Sequence, residues 1–381
     1  MKLALAALFA FAACAFAEPP LQDGVSQARL LEELRALPVK RSANGGDEHR
    51  AGLRQTEEML LGKLRGLGYQ PVTQDVDFLG ASREGRGGAN APEPATSPKR
   101  TPWRNIIIDI PGQTLPHEIL VFAAHFDAVP RSPGADDNGT GAVALLEMAR
   151  LLKDRPMQRT LRLIFFNLEE VGLVGSHAYV QSIEDQIKGE LIDDGGTPGG
   201  ESGSSTEPRR KPPTRKFLGM VSIDGVGYFT DEPGSQKSPV PKTRFFEPPT
   251  VGNFLGLGGI GRHRTFSQAL VKAMKAGAPG LRIVAVDFLP IAPPDFLRSD
   301  HAPFLAAGIP AVILADTANF RNPHYHEPTD AIETLDMQRF TSVVRALVAA
   351  AHALAAPVGG KLIDLSPRTF APPPVPSPAT P

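Results

Sequence analysis

The stretch Leu163-Ile164-Phe165-Phe166-Asn167-Leu168-Glu169-Glu170 indicates a buried strand that ends in two glutamates. Its four consecutive apolar residues show no polar alternation, so both faces of the strand are predicted to be covered. Carboxylates beside an apolar strand are costly unless they are paired or bind a cation. Because neighbouring side chains diverge at a strand end, one glutamate can bind a metal while the other faces a substrate water. A solvated loop is the alternative interpretation.

Other short apolar runs on both sides of this stretch have the length of strands. They lie at residues 105–110, 118–124, 217–223, 282–286 and 311–315, and residues 70–78 alternate like a strand. Helical periodicity occurs at residues 26–37, 48–67, 141–153, 176–186, 265–275 and 337–355. Short apolar strands that alternate with helices predict an α/β fold in which helices cover both faces of the sheet.

The composition is that of an ordinary globular protein. The 381 residues are 41% hydrophobic and 21% charged, with a formal net charge of −1. This balance gives no support for nucleic-acid binding, because proteins that bind nucleic acids usually have a surplus of basic residues. We predict one large domain over residues 48–358, preceded by an N-terminal helical segment at 18–47. Low-complexity inserts are expected at about 80–100 and 187–213, and a proline-rich disordered tail at 359–381.

The first 17 residues have the pattern of a secretory signal peptide. Lys2 supplies the early positive charge, residues 3–16 are almost wholly apolar, and Ala15-Phe16-Ala17 fits a cleavage site. Cleavage there would remove Cys14, the only cysteine. A lipoprotein signal with a lipidated Cys14 is the alternative. Both readings predict export, to the periplasm or out of the cell, and no integral membrane segment in the mature chain.

A histidine and an aspartate follow another predicted strand, in Phe122-Ala123-Ala124-His125-Phe126-Asp127. Residues two apart on a strand point to the same face. If His125 binds a metal, Asp127 can accept a hydrogen bond from its other ring nitrogen and fix the tautomer. Taken alone, such a pair is more often a structural hydrogen bond.

Further acids and histidines lie at a helix start, at a strand end and near the end of the chain. Asp136 and Asp137 open a helix in a glycine-rich turn, where they can cap the helix or bind a divalent cation. Asp224 closes a predicted strand. Three histidines near the end of the chain compete for one ligand role: His301, His324 and His326. Because ligands bind beyond the carboxyl ends of strands in α/β sheets, these groups together predict a dinuclear site that suits zinc, with cobalt or manganese as substitutes.

These motifs, in this order, resemble those of the M28 zinc peptidases over roughly residues 48–355. His125-Phe126-Asp127 resembles the family's H-x-D motif, and Gly134-Ala135-Asp136-Asp137-Asn138-Gly139 resembles its G-A-D-D-N turn. Glu169-Glu170 is similar to its paired glutamates. Asp224 corresponds to its strand-end acid, and Tyr325-His326-Glu327-Pro328-Thr329-Asp330 to its last histidine motif.

The resemblance implies a three-layer α/β/α sandwich with a mixed, mostly parallel sheet and two zinc ions per chain. Asp137 would bridge both ions, Glu170 and His326 would complete one ligand set, and His125 and Asp224 the other. Glu169 would be the catalytic base. Asp127 would orient His125, and Asp300 is a further candidate to support the site. The resemblance also makes Asp137–Asn138 a candidate for a cis peptide bond.

The implied activity is that of an exopeptidase on peptide substrates, with an aminopeptidase expected first and a carboxypeptidase of the same family as the alternative. A single-zinc glutaminyl cyclase is a rival, because Ser299-Asp300-His301-Ala302-Pro303-Phe304-Leu305 fits that related branch as well. The turn at 136–141 is of the two-metal type, which favours the peptidase. A receptor-like domain without enzymatic activity is disfavoured because every ligand position is filled. No G-x-S-x-G or H-E-x-x-H motif is present.

Overall fold

A computed structural model describes residues 19–78, 102–188, 214–244 and 246–366. The predicted signal peptide at 1–17, the insert at 80–100, residues 189–213 of the second insert and residues 367–381 of the tail lie outside these ranges. The division into domains stays a prediction. Leu365 falls within the predicted tail but is buried in the core. The packed part of the chain therefore runs past residue 358, because Ile363 and Leu365 are apolar residues that precede the proline run.

Eight strands form one mixed sheet. They are β1 (Val72–Val76), β2 (Trp103–Ile110), β3 (Leu115–His125), β4 (Arg159–Phe166), β5 (Lys216–Ile223), β6 (Leu255–Gly258), β7 (Ile283–Val286) and β8 (Ala311–Ala315). Their order across the sheet is β1-β2-β4-β3-β5-β8-β6-β7. Strand β6 is missing from the sequence-based assignment, because its Leu-Gly-Leu-Gly sequence has the two glycines that usually weaken a strand.

The four central strands are parallel to one another. β3 pairs with β4 and β5, and β5 pairs with β8, all in parallel, whereas β1–β2, β2–β4 and β6–β8 are antiparallel. The expected mixed, mostly parallel sheet is confirmed. All four central strands end at the same edge, so the residues that follow them lie close together.

Helices cover both faces of the sheet. They are α1 (Gln27–Ala36), α2 (Asp47–Gly66), α3 (Gly141–Leu152), α4 (Val174–Ser182), α5 (Glu184–Lys188), α6 (Arg264–Gly277), α7 (His301–Ala306) and α8 (Met337–Ala355). The predicted helix at 176–186 is thus two helices, α4 and α5. Helices α1, α2, α3, α6 and α8 pack together on one face, and α4, α5 and α7 pack on the other.

Strand β3 shows how the three layers are held together. Leu120, Phe122 and Ala124 point into the core beneath α3 and α8, whereas Val121 and Ala123 point into the core beneath α4 and α7. This alternation follows from the two-residue period of a strand, and burial of both faces explains its apolar sequence. The α/β/α sandwich is confirmed. Across the described ranges, every helix is too short or too polar to cross a membrane.

Candidate metal centre

The sequence-predicted ligands come together at the carboxyl edge of the parallel strands. His125 is the last residue of β3 and is paired in register with Phe166, the last residue of β4. Glu169 and Glu170 follow β4 within four residues, and Asp224 directly follows β5. Side chains from separate segments therefore meet in one buried place, as the strand order requires.

Asp137 lies between the two histidines of the site. Its Oδ1 is 3.3 Å from Nε2 of His125, and its Oδ2 is 3.1 Å from Nε2 of His326. On the first side, Nε2 of His125 is also 3.4 Å from Oδ1 of Asp224. On the second side, Nε2 of His326 is 3.2 Å from Oε2 of Glu170. The two oxygens of one aspartate thus face two different imidazoles.

Two groups of side chains have the spacing of cation ligands. In each group the donor atoms lie within 4.8 Å of one another: His125, Glu169 and Asp224 in the first, and Asp137, Glu170 and His326 in the second. Oε1 of Glu170 and Nε2 of His326 are buried and have no hydrogen-bond partner among the described residues. Imidazole nitrogens and carboxylate oxygens at this spacing fit zinc, and the unpartnered atoms are the ones a cation would satisfy.

The excess of carboxylates strongly perturbs the titration of the site. Burial, reinforced by Asp137, raises the pKa of Glu170 to about 7. Burial also raises the pKa of Glu169 well above its usual value, and His125 only partly opposes this effect. For His326, burial would lower the pKa, but the nearby negative charges of Asp137 and Glu170 outweigh it and raise the pKa to about 10. Such crowding of acids suits a group that carries positive charge.

Asp127 holds the turn that carries the two glutamates. Its Oδ1 accepts a hydrogen bond from the backbone N–H of Glu169, and its Oδ2 accepts one from that of Glu170, both at 3.1 Å. Nδ1 of His125 is 3.2 Å from the backbone oxygen of Asp127 and 3.5 Å from Oδ1. The sequence pointed to a contact with His125 only. The contact with the glutamate turn depends on β3 and β4 being neighbours, which the local pattern does not reveal.

Asp330 fixes the turn that carries Asp137. It accepts hydrogen bonds from the backbone N–H groups of Asp136, at 2.9 Å, and Asp137, at 3.2 Å. The side chain of Asn138 joins the same turn to Ile223 at the end of β5, with an Nδ2–oxygen distance of 2.8 Å. The peptide bond between Asp137 and Asn138 is cis, as the resemblance implied. Asp330 stands in the last histidine motif, yet nothing in that motif indicated this contact.

Several acids and histidines of the same motifs lie elsewhere. Asp136 points away from the two histidines and accepts hydrogen bonds from the N–H of Gly227 and the side chain of Asn322. His324 is near Thr329, with 2.9 Å between Nδ1 and Oγ1. His301 is the first residue of α7, and burial lowers its pKa to about 4. Of the three competing histidines, the structure therefore brings His326 to Asp137.

Asp300 is fully buried behind the site. Burial raises its pKa to about 7, and the charges of His125, Asp224 and Asp127 are near enough to contribute. This position fits the supporting role expected for Asp300, which stays a prediction.

An apolar cavity opens beside the metal ligands. Its volume is about 140 Å³, and Asp224 and Tyr325 line it on the side of the site. The ring of Tyr325 stacks on that of His326 at 3.9 Å. Most of the remaining wall is apolar and includes Phe246, Phe254, Leu257, Val284, Phe296 and Ile313. A cavity of this kind can hold an apolar side chain next to the place where the reacting atoms would lie.

Together, the sandwich fold and the paired ligand groups define a class: α/β proteins with a candidate dinuclear metal centre at the strand ends. The sequence profile of peptidase family M28 matches residues 105–221 and 266–351, which is more than half of the chain. The protein therefore belongs to peptidase family M28. The first matched segment contains His125, Asp137, Glu169 and Glu170, the second contains His326, and Asp224 lies just beyond the first.

Curated relatives agree with this assignment. The chain is 27% identical to the uncharacterized protein YfbL of Escherichia coli over 65% of its length and 70% of that protein. It is 26% identical to the probable lipoprotein aminopeptidase LpqL of Mycobacterium tuberculosis over 70% of its length and 48% of that protein. It is also 48% identical to aminopeptidase YwaD of Bacillus subtilis, over 18% of its length and 15% of that protein. The chain thus spans less than half of LpqL and of YwaD.

Solved structures share the fold. An aminopeptidase from Aneurinibacillus sp. strain AM-1 has a TM-score of 0.59 and 16% identity, over 92% of this chain and 98% of that one. A glutaminyl cyclase from Fimbriiglobus ruber has a TM-score of 0.56 and 16% identity, over 86% of this chain and 95% of that one. The same architecture therefore occurs with two activities, so the fold does not choose between them.

Proposed function

We propose that this protein is an exported, zinc-dependent aminopeptidase that uses two zinc ions. The observation that carries the proposal is the placement of Asp137, whose two oxygens face His125 on one side and His326 on the other. Asp224 would complete the first ligand set and Glu170 the second. A carboxylate that serves two neighbouring sites is the arrangement expected for a pair of cations a few ångströms apart.

The residues around this centre have complementary roles in peptide hydrolysis. Bound zinc supplies Lewis acidity, which acidifies water and polarises the scissile carbonyl. Glu169 accepts the proton of the attacking water and returns it to the leaving amine, since its carboxylate is buried at the site with Oε2 4.0 Å from Nε2 of His125. Asp127 keeps Glu169 and Glu170 in place through their backbone N–H groups.

The surroundings favour a substrate with a free amino terminus. Oε2 of Glu169 and Oδ1 of Asp224 lie 4.0 and 3.4 Å from Nε2 of His125, and this concentration of carboxylates suits a protonated amine. The adjacent cavity would take the side chain of the first residue, and its apolar wall favours large apolar residues such as leucine. Relatives named leucine aminopeptidase 2 in Trichophyton species, 28% identical over 45% of this chain, are consistent with this preference.

The test is a substrate panel with and without a chelator. We expect leucine and phenylalanine p-nitroanilides to be hydrolysed, N-acetylated peptides to be inert, and a chelator to abolish turnover until zinc is restored. Release of the last residue from N-blocked peptides would show a carboxypeptidase instead. Loss of ammonia from a peptide with N-terminal glutamine, without shortening of the chain, would show a cyclase.

Filling the cavity should change the substrate preference. Ala315 lines it from β8, and Ala315→Leu adds three carbon atoms to the wall. We expect kcat/KM for a leucine substrate to fall about tenfold or more and that for an alanine substrate to change little, since one methylene in an apolar pocket changes the ratio by about 10–200-fold. Val358→Leu, at an exposed position outside the cavity, is the matched control. Equal losses on both substrates would contradict the assignment of this cavity.

Export is the remaining part of the proposal. The pattern of residues 1–17 supports a signal peptide, and the description of LpqL as a probable lipoprotein aminopeptidase is consistent with export. Amino-terminal sequencing of the mature protein would separate cleavage after Ala17 from lipidation at Cys14.

A further inference from the structure

Arg41 is a buried arginine near the metal centre that belongs to neither matched segment of the family profile. It lies between α1 and α2, and only 2% of its surface is exposed. A guanidinium is almost never buried without partners, because loss of hydration is costly. The contacts that Arg41 makes therefore indicate what its charge does there.

The guanidinium of Arg41 binds both ends of one loop. Its Nε donates to the backbone oxygen of Phe126 at 2.9 Å, and its Nη1 donates to that of Pro133 at 2.5 Å. Its Nη2 donates to the backbone oxygen of Gly134. The backbone oxygen of Arg41 also accepts a hydrogen bond from Ala128 at 2.8 Å. This loop is the connection between His125 and Asp137, so Arg41 ties together the two segments that carry them.

The packing around Arg41 leaves little freedom for this loop. Gly134 has a φ of 66°, and a Cβ atom there would lie 2.7 Å from Nη2 of Arg41 and 2.6 Å from the backbone oxygen of Asp137. Glycine is thus the residue that lets the guanidinium approach the loop from one side while Asp137 turns toward the site on the other.

The charge of Arg41 also acts on the site. Within the described ranges, no carboxylate forms an ion pair with it at 4 Å or less, yet it lies in the field of Asp330, Asp127 and Asp137. A buried cation beside several carboxylates lowers their mutual repulsion. Because the guanidinium of Arg41 donates its hydrogen bonds to backbone carbonyl oxygens, it lowers this repulsion without drawing a carboxylate away from a metal.

We infer that Arg41 is a positioning residue for the metal centre: its guanidinium fixes the loop from Phe126 to Gly134 and so sets the relative placement of His125 and Asp137. The inference rests on the proposed metal site. It assigns to the N-terminal segment a part in metal binding, whereas the family profile begins more than sixty residues later.

The test compares Arg41→Met and Arg41→Lys with Arg159→Met. Arg159 is the matched control because it is also buried, binds Glu118 and the backbone oxygen of Leu354, and lies at the start of β4, at the opposite edge of the sheet. Three quantities are measured: zinc affinity by chelator competition, the absorption spectrum of the cobalt-substituted protein, and the urea stability of the metal-free protein.

We expect Arg41→Met to weaken zinc binding about 10–100-fold, the range seen when groups that orient metal ligands are removed, and to change the cobalt spectrum. Arg41→Lys should recover part of the affinity, since it keeps the charge and some of the bonds. Arg159→Met should lower stability but keep the zinc affinity and the spectrum of the unmodified protein. Since Arg41→Lys retains the charge, it tests the inference even if Arg41→Met does not fold.

Unchanged zinc affinity and an unchanged cobalt spectrum in the Arg41 variants would overturn this inference alone. Failure of the unmodified protein to bind zinc would instead overturn the proposed function.

Discussion

Replacing Glu169 with glutamine is expected to reduce kcat by about a hundredfold to ten-thousandfold, which is the range that general acid–base catalysis contributes. Both zinc ions are expected to stay bound. Glutamine keeps the shape of the side chain but cannot accept the proton of the attacking water. The ligand groups on both sides contain other carboxylates and imidazoles that would hold the cations. Turnover of a leucine p-nitroanilide and zinc content by mass spectrometry check this expectation.

The adjacent residue provides the control. Glu170→Gln should lower zinc content first, because Oε2 of Glu170 lies 3.2 Å from Nε2 of His326 and forms the second ligand group with Asp137. The comparison of the two variants is needed because Glu169 also has an oxygen within 4.8 Å of the donors of His125 and Asp224, and could therefore itself be a ligand. If Glu169→Gln loses zinc and Glu170→Gln keeps it, the two glutamates must exchange roles.

The sequence predicted those parts of the molecule that leave a local pattern. The apolar runs of the central strands are visible because both faces are buried, and the acids that follow them stand out because carboxylates are rare at such places. Parallel strands end at one edge, so this pattern predicted that His125, Asp137 and Asp224 lie close together.

The contacts that hold the ligands in place were not predictable in this way. Asp127 accepts hydrogen bonds from backbone N–H groups of the glutamate turn, which follows the neighbouring strand β4. Asp330 accepts one from the backbone N–H of Asp137, which lies 193 residues earlier in the sequence. Arg41 acts on backbone oxygens, which every residue type provides. A bond to the backbone leaves no matching side chain in the partner segment, so no spacing or periodicity indicates it. Strand β6 was missed for another reason, since two of its four residues are glycines, which usually weaken a strand.

Asp137 and Asp136 are neighbours in the same turn, yet the structure gives them opposite environments. The carboxylate of Asp137 faces His125 and His326, whereas that of Asp136 accepts hydrogen bonds from Gly227 and Asn322. The sequence left open whether these acids cap the helix or bind a cation. The geometry divides the roles, so a pair of single substitutions one residue apart can test the whole arrangement.

Asp137→Ala is expected to remove both zinc ions and all measurable turnover, because it deletes the two oxygens that face His125 and His326. Zinc at a hundred times its dissociation constant should stabilise the unmodified protein by about 2.7 kcal/mol for each site, and this gain should vanish in the variant. Asp136→Ala should keep zinc and its stabilising effect, but lower the free energy of unfolding by about 1–3 kcal/mol, since buried donors on Gly227 and Asn322 lose their acceptor. Denaturation with and without zinc measures both quantities. Retention of one full zinc equivalent by Asp137→Ala would show that this aspartate serves a single cation and would exclude the bridged centre.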